Sequence, residues 1–307
     1  SYGTFLGQVL ANTFPDRTGA IVLDGVVDPA WASGAPGSIG WIRENGDIGS
    51  WQTLQRFFQL CAQAGPSRCA FAADGDPERT FAELTARLRS GPLKVTLPGQ
   101  APRPLGYDDL IILSSVMLDT LDWPALGQFL HAAQAGDAQA VAEVLGQVLP
   151  PPAPDYNNYL DANAAIACAD TDNPRDPRRY GAVGHRRDAT VAHYTGSMWA
   201  YRALPCAPWL GRSTERYTGP WTARTRTPVL LLATRYDPDT PYRNAVRVHE
   251  LLPNSALLTV DGVGHAAELL TSSCATAATT HYLLTGATPP PGTVCDQDFT
   301  PFDQPAA

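Results

Sequence analysis

Apolar residues follow two different patterns along the chain, and each pattern predicts a different kind of structure. Short continuous apolar runs occur near both ends and alternate with amphipathic helical stretches. The predicted strands are 21–23, 228–233 and 256–260, and the predicted helices are 2–13, 242–252 and 266–284. Continuous runs of this kind are typical of parallel strands that are buried on both faces. Their alternation with helices predicts an α/β sheet.

Helical periodicity replaces that alternation between about residue 40 and residue 220. The predicted helices here cover 77–90, 107–120, 123–134 and 137–148, and the first begins with the cap-and-proline pair Asp76-Pro77. The arginine-rich residues 171–190 are predicted to be a surface loop, and the proline-rich residues 149–154 a stiff linker or turn. The domain prediction is therefore a core of 1–40 and 221–307 with a helical cap over 41–220.

Composition narrows the class of protein. The chain is 44% hydrophobic and 17% charged, which is typical of a folded globular protein. No stretch approaches the 18 apolar residues that a membrane-spanning helix requires, so no membrane span is predicted. The net charge of −8 argues against nucleic acid as a partner.

The six cysteines favour an oxidising compartment. None lies in a C-x-x-C pair and no histidine has zinc-finger spacing, so no metal site is predicted. Their order along the chain suggests three local disulfides, which pair Cys61 with Cys69, Cys168 with Cys206, and Cys274 with Cys295. An even set of neighbouring pairs is typical of secreted proteins. Six buried free thiols in a cytosolic enzyme are the alternative.

Three residue types that together perform nucleophilic catalysis occur in a characteristic order. Ser1 comes first, Asp237 follows the predicted strand that ends at Ala233, and His265 follows the one that ends at Val260. A serine hydroxyl becomes an effective nucleophile when a histidine takes its proton and a carboxylate orients that histidine. In α/β-hydrolases these groups follow in the order Ser, Asp, His, at the carboxyl ends of parallel strands. Asp239, in the same turn, is the alternative acid.

The segment around Ser1 matches the second half of a nucleophile elbow, G-x-S-x-G. Gly3 is present, whereas the glycine and the strand that precede the serine are absent from this chain. We expect one of two explanations: numbering that begins in mid-protein, or a precursor that is cut just before its nucleophile. In the second case, the strained elbow would permit an N-to-O acyl shift and self-cleavage.

These motifs resemble those of the tripeptidyl aminopeptidase-like α/β-hydrolases, a secreted actinobacterial group related to prolyl aminopeptidases. The matching segments are the elbow region at 1–4, 14–15 and 22–25, the acid turn Asp-Pro-Asp-Thr-Pro at 237–241, and the histidine turn Gly-Val-Gly-His at 262–265. Further matches are 165–170 with Cys206 and Trp209, and Cys274 with 292–295. The resemblance recurs through nearly the whole chain and is diffuse in the helical middle.

The resemblance implies a secreted serine hydrolase of the α/β-hydrolase fold with a large helical lid, in which a Ser1–His265–Asp237 triad forms an acyl-enzyme. It implies an aminopeptidase or amidase that cleaves short peptides from the amino terminus, or related amides and esters. The backbone N–H of Tyr2 would supply half of the oxyanion hole. The family's His-Gly-Gly-Pro-Gly loop and several central strands are not in this chain. We therefore expect an N-terminal fragment of the same precursor to complete the fold.

An aminopeptidase also needs a group that holds the substrate's α-ammonium. Asp161 and Asp170 are the candidate carboxylates, and Trp199 is a candidate for an apolar pocket beside them. Helix caps and plain core packing are the alternative roles for these residues. No cofactor is predicted, because no phosphate-binding glycine loop is present.

Three other functions stay open at this point. The same fold could process an ester, a lactone or a peptide-like natural product. An N-terminal serine is also typical of Ntn-type amidohydrolases, in which the α-amine is the base and the fold is a sandwich of antiparallel sheets. A binding protein with a decayed active site is the third alternative, although all three triad residue types are present.

Overall fold

The computed structural model describes residues 1–97, 99–149, 156–267 and 272–303. Its helices are α1 Tyr2–Thr13, α2 Gly40–Arg43, α3 Gly46–Ala64, α4 Pro77–Ser90, α5 Tyr107–Leu118, α6 Trp123–Ala135, α7 Ala138–Val148, α8 Tyr159–Asp170, α9 Arg178–Thr190, α10 Thr195–Arg202, α11 Tyr242–Leu251 and α12 Ser273–Thr285. The strands are β1 Ile21–Asp24, β2 Leu93–Val95, β3 Arg103–Leu105, β4 Val229–Tyr236, β5 Ser255–Val263 and β6 Val294–Asp296.

Four strands form a parallel sheet in the order β1-β4-β5-β6. Leu231 of β4 pairs with Leu23 of β1 on one side and with Leu257 of β5 on the other. The first six residues of β4 are buried, because helices cover both faces of the sheet at this strand. The predicted α/β class is confirmed, and the three predicted strands are β1, β4 and β5.

Alternate residues of β4 feed two separate cores. Val229, Leu231 and Ala233 pack with apolar residues of α1 and α11 on one face. Leu230 and Leu232 pack on the other face, where Tyr282 of α12 joins them. This separation follows from the period-two alternation of side chains along a strand. The sheet is therefore the middle layer of three.

The chain divides into two compact units. The first contains residues 1–52 and 158–298, and the second contains residues 53–157 and 299–307. The first unit holds the parallel sheet together with α8, α9 and α10, and the second holds α4 to α7 and the β2–β3 hairpin. The helical residues 158–220, which we assigned to the cap, thus group with the sheet, whereas 53–157 form a helical unit of their own.

The predicted surface loop at 171–190 is wrong, because its second half is helix α9. Composition concealed this helix, since most of its residues are polar or charged. Tyr180 and Gly184 are its buried residues. A methyl group placed on Gly184 would lie 2.7 Å from the Cα atom of Ser197 in α10, so the two helices pack through a position that only glycine fits.

Two other predictions concern segments that the structure describes only in part. The predicted helix 266–284 begins only at Ser273, after the cap residue Ser272, whose hydroxyl accepts a hydrogen bond from the Ala275 amide. Residues 268–271, just before it, lie outside the described residues, as does most of the predicted linker at 149–154.

The six cysteines form the three expected pairs, Cys61–Cys69, Cys168–Cys206 and Cys274–Cys295. Five of the six are buried, Cys274 is exposed, and no described cysteine is free. The first pair lies in the helical unit and the other two in the sheet unit. As to membranes, none of the helices within the described ranges is both long and apolar enough to cross a bilayer.

The side chain of Arg43 stabilises the loop that follows strand β1. Its guanidinium donates to four carbonyl oxygens, those of Ala30 at 2.6 Å, Trp31 at 2.6 Å, Ser38 at 3.1 Å and Asp172 at 2.9 Å. Burial lowers the pKa of Arg43 to about 10, although the Asp172 carboxylate opposes that shift. The Arg43 guanidinium thus supplies hydrogen-bond donors to backbone carbonyls that would otherwise lack them.

Replacing Arg43 with methionine should destabilise the fold by about 3 kcal/mol, because charge-assisted hydrogen bonds are lost and several carbonyl groups are left unpaired. Urea unfolding followed by circular dichroism measures this. Arg178→Met is the matched control, since Arg178 is exposed and its side chain binds Asp176 alone. Equal stability of the two variants would contradict the role given to Arg43.

Candidate active site

The residues of the predicted triad lie at the carboxyl ends of adjacent parallel strands. Asp237 directly follows β4, and His265 comes two residues after the end of β5. The Gly264 amide donates to the Tyr236 carbonyl at 3.0 Å, which holds the two strand ends side by side. Open α/β sheets place their ligands at this edge.

Asp237 is the centre of a dense set of hydrogen bonds. Its carboxylate accepts from the amides of Asp239 at 2.9 Å, Thr240 at 2.8 Å and Ala266 at 3.2 Å, and from the Thr240 hydroxyl at 2.9 Å. His265 adds a contact from its Nδ1 atom, 3.0 Å from Oδ1. The side chain of Asp237 is only 1% exposed. A buried carboxylate with this many donors is held in one orientation.

His265 is turned toward that carboxylate by an unusual backbone. Gly264 has φ +100°, and Ala266 has φ +60°, a value that non-glycine residues rarely adopt. Burial alone would lower the pKa of His265, but the charge and hydrogen bond of Asp237, together with the charge of Asp239, raise it to about 9. Because Nδ1 faces the carboxylate, Nε2 is the ring nitrogen left for another partner.

Ser1 lies at the start of helix α1, at the same edge of the sheet. Its backbone nitrogen donates to the Asp24 carbonyl, 3.3 Å away at the end of β1. The Thr4 hydroxyl links the two elements, since it donates to the Ser1 carbonyl at 2.5 Å and accepts from the Val27 amide at 2.9 Å. Ser1 is exposed, and its hydroxyl makes no hydrogen bond with any described residue.

Gly25 is the point where Ser1 and His265 approach each other. A methyl group placed on Gly25 would lie 3.1 Å from the His265 Cε1 atom and 3.4 Å from the Ser1 nitrogen. It would also lie 3.2 Å from the Thr240 hydroxyl. The nucleophile candidate and the imidazole therefore border the same small space, and Gly25 keeps that space open.

The remaining predicted residues occupy different environments. Tyr2, the oxyanion candidate, begins α1, so its backbone N–H has no acceptor within the helix. Its phenol donates to the Asp170 carboxylate at 2.7 Å, which places Asp170 next to the residue that follows Ser1. Asp161 is exposed. Trp199 is 1% exposed, and its indole N–H donates to the Ser50 hydroxyl at 2.8 Å.

Sequence reasoning missed several residues that shape this site. Thr240 binds the acid through both its amide and its hydroxyl, and the sequence signal was its place three residues after Asp237 in a turn. Thr4 and Gly25 act only through contacts across the fold, which no spacing reveals. As for metals, no cluster of three or more potential side-chain ligands occurs within the described residues.

Comparison with known proteins bears on the identity of the chain. Residues 192–295 match the family described as TAP-like protein. The resemblance to the tripeptidyl aminopeptidase-like α/β-hydrolases is confirmed. The fold is accordingly that of the α/β-hydrolases. Its parallel sheet differs from the antiparallel sandwich that the Ntn-type alternative requires.

Relatives whose names state an activity match almost the whole chain. The tripeptidyl aminopeptidase of Streptomyces coelicolor is 27% identical over 314 residues, which cover 98% of this chain and 54% of that protein. Serine protease Hip1 of Mycobacterium tuberculosis is 29% identical, covering 96% of this chain and 56% of the relative. Carboxylesterase B, also from M. tuberculosis, is 29% identical, covering 92% and 53%. The chain thus spans about half the length of these relatives.

Replacing Asp237 with asparagine should lower the pKa of His265 from about 9. The charge and hydrogen bond of Asp237 that favour imidazolium are removed, whereas the burial that disfavours it remains. Titration of the histidine ring signals by NMR measures this. The signals of exposed His249 serve as the internal control, and an unchanged His265 titration would contradict the assigned pairing.

Replacing Gly25 with alanine tests the close approach. Gly25 has φ +66°, and so the substitution should cost about 1–2 kcal/mol of stability from backbone strain alone. The new methyl group should also displace the His265 ring and shift its NMR signals. Gly65→Ala is the matched control, because Gly65 has φ +72° with no atom within 4 Å of the added methyl group. A Gly25→Ala protein with unmoved His265 signals would contradict the proximity.

Proposed function

We propose that the protein is a serine hydrolase in which Ser1, His265 and Asp237 form a catalytic triad. The observation that carries this proposal is the hydrogen bond between His265 Nδ1 and the buried Asp237 carboxylate, at the sheet edge where Ser1 begins a helix. The named relatives, an aminopeptidase and a serine protease among them, support a hydrolase of this class.

The proposed reaction proceeds through an acyl-enzyme. His265 Nε2 accepts the hydroxyl proton of Ser1 as Ser1 Oγ attacks the substrate's carbonyl carbon, and the imidazolium then gives that proton to the leaving group. Water deacylates the enzyme by the same steps in reverse order. Asp237 fixes the tautomer of His265 and stabilises its charged form. The Tyr2 backbone N–H, at the positive end of α1, donates to the oxyanion.

The substrates we propose are peptides or peptide-like amides that the enzyme cleaves near a free amino terminus. The basis is the Streptomyces relative, whose name states a tripeptidyl aminopeptidase. Of the two carboxylates predicted for the ammonium group, Asp170 lies close to the nucleophile through its bond to Tyr2, whereas Asp161 is exposed. Because its side chain is buried, Trp199 would support such a site from the core and would not line its surface.

Ester hydrolysis is a second candidate, since a relative of similar identity is named Carboxylesterase B. The same triad performs either reaction, because both pass through a tetrahedral oxyanion and an acyl-enzyme. What differs is the leaving group: an amine must be protonated as it departs, whereas an alcohol or phenol leaves more easily. The helical cap that we expect over 41–220 would select between them.

We also propose that the protein works in an oxidising compartment such as the extracellular space. The three disulfides support this, because such bonds persist where thiols are not kept reduced.

Further strands next to β1 are also part of the proposal. Within the described residues β1 pairs only with β4, so its other edge is open. Leu6 and Leu10 of α1, with Phe14 just after it, form an apolar stripe that is about half exposed. An open parallel edge and an uncovered apolar helix face both favour a companion segment that completes the sheet. The fragment that we expect from the sequence would supply it, together with the second oxyanion donor.

Labelling of the purified protein with a fluorophosphonate probe, followed by intact mass spectrometry and peptide mapping, tests this function. The probe should add once, at Ser1, and Ser1→Ala should abolish both labelling and hydrolysis of a tripeptide p-nitroanilide. Asp237→Asn should lower kcat about 10⁴-fold, because His265 then adopts the wrong tautomer. Labelling at another serine, or full activity of Ser1→Ala, would refute the proposal.

A further inference from the structure

Glu44 is a buried carboxyl that the proposed triad does not use. It lies between α2 and α3 and is 1% exposed. Its Oε2 atom is buried, and no described residue donates a hydrogen bond to it. Burial raises the pKa of Glu44 to about 8, and the neighbouring Asp239 carboxylate adds to that effect. A buried acceptor without a donor is costly, so a donor from outside the fold is the natural complement.

Asp239 is the second carboxyl of this pair, and it belongs to the acid turn itself. Its backbone amide donates to Asp237, whereas its side chain has no hydrogen bond or ion pair with any described residue. Unlike Glu44, it is partly exposed. Its charge also acts on His265, whose pKa it raises. Asp239 therefore lies within electrostatic reach of His265, and it is the more exposed of the two carboxyls.

Packing holds the two carboxyls on adjacent elements. A methyl group placed on Gly49, in the first turns of α3, would lie 2.9 Å from the Asp237 carbonyl and 3.1 Å from the Pro238 carbonyl. The Ser50 hydroxyl donates to the same Pro238 carbonyl at 2.8 Å. The start of α3 thus lies directly against the acid turn, and Glu44 is two residues before that helix begins.

The cations near this pair leave its oxygens without hydrogen bonds. The guanidinium of Arg202 and the α-ammonium of Ser1 both favour the charged form of the two carboxyls. Arg202 stacks on the rings of Trp41 at 4.9 Å and Trp199 at 4.8 Å. Within the described residues neither cation forms an ion pair or a hydrogen bond with these two side chains, which therefore suit a small cation with several donors.

Other carboxylates of this unit already have partners. Asp28 pairs with Arg247 at 3.1 Å, Asp47 pairs with Arg187, and Asp170 accepts from Tyr2 at 2.7 Å. Glu44 and Asp239 differ from these three, because no described residue donates a hydrogen bond to their side-chain oxygens.

We propose that Glu44 and Asp239 together bind the α-ammonium group of the substrate, next to the catalytic histidine. A primary ammonium carries three N–H donors, and these match the free oxygens of the two carboxylates. An N-acylated peptide lacks that charge and those donors, so the pair selects substrates with a free amino terminus. This inference rests on the proposed function and assigns its substrate class to particular residues, in place of the Asp161 and Asp170 candidates.

Binding to the Ser1→Ala protein tests the inference without any turnover. Calorimetry compares two tripeptide amides that differ only in a free or an acetylated amino terminus. The Ser1→Ala protein should prefer the free amine. The preference, taken as the ratio of the two Kd values, should fall at least about tenfold in Glu44→Gln and in Asp239→Asn, because each loses a charge-assisted hydrogen bond.

Two further variants sharpen the comparison. Glu250→Gln is the matched control, since Glu250 is an exposed carboxylate on α11. It should leave the ratio within twofold of the Ser1→Ala parent. Asp170→Asn tests the rival anchor. Should Glu44→Gln fail to fold, Asp239→Asn still decides, because Asp239 is partly exposed.

Four results would overturn the inference: no preference for the free amine, no binding of either peptide, a ratio unaffected by both substitutions, or a ratio lost only in Asp170→Asn. Failure of the proposed function is seen elsewhere, as absent labelling of Ser1. A retained preference in a protein whose Ser1 does not react would keep the ammonium site and reject the triad.

Discussion

The parallel pairing of β4 with β5 is the constraint on which the candidate site depends. Tyr236 pairs with Val263 after a register shift, and so both strands end at the same level of the sheet. The residues that follow them, Asp237 and His265, can then meet at 3.0 Å without any long loop to position them. Buried side chains on both faces of β4 keep that register, because a slip would move each of them to the wrong face.

The sequence predicted this part well, since its signals are local. Continuous apolar runs marked β1, β4 and β5, and the order Ser, Asp, His along strand ends indicated the catalytic candidates. What it could not predict depends on contacts between distant segments. Nothing in the sequence distinguishes Glu44 from an exposed charged residue, and only the structure shows that it is buried. Gly25 is likewise one of 26 glycines, and only the structure shows that it lies beside His265.

The misread helix α9 and the misplaced unit boundary have a common cause. Arginine-rich residues 178–190 carry little apolar periodicity, and the helix is held by close packing of Gly184 against α10. Because α9 and α10 group with the sheet, the second compact unit is confined mainly to 53–157. Hydrophobic pattern alone does not report packing through glycine, so it did not separate 158–220 from the rest of the predicted cap.

Two carboxylates of the acid turn, Asp237 and Asp239, differ in their hydrogen bonds. Asp237 is fully supplied with donors, whereas the side chain of Asp239, two residues later, has none among the described residues. The first arrangement fixes the histidine, and the second leaves oxygens near it that a ligand with N–H donors can bind. One turn of five residues thereby combines an orienting carboxylate with an unsatisfied one.

The distance between Ser1 Oγ and His265 Nε2 tests the central claim most directly. A crystal structure of the purified protein at high resolution would measure it. The account predicts a separation of about 2.6–3.2 Å, within hydrogen-bond reach, with the His265–Asp237 bond intact. A serine hydroxyl well beyond that reach, with another group on Nε2, would contradict it.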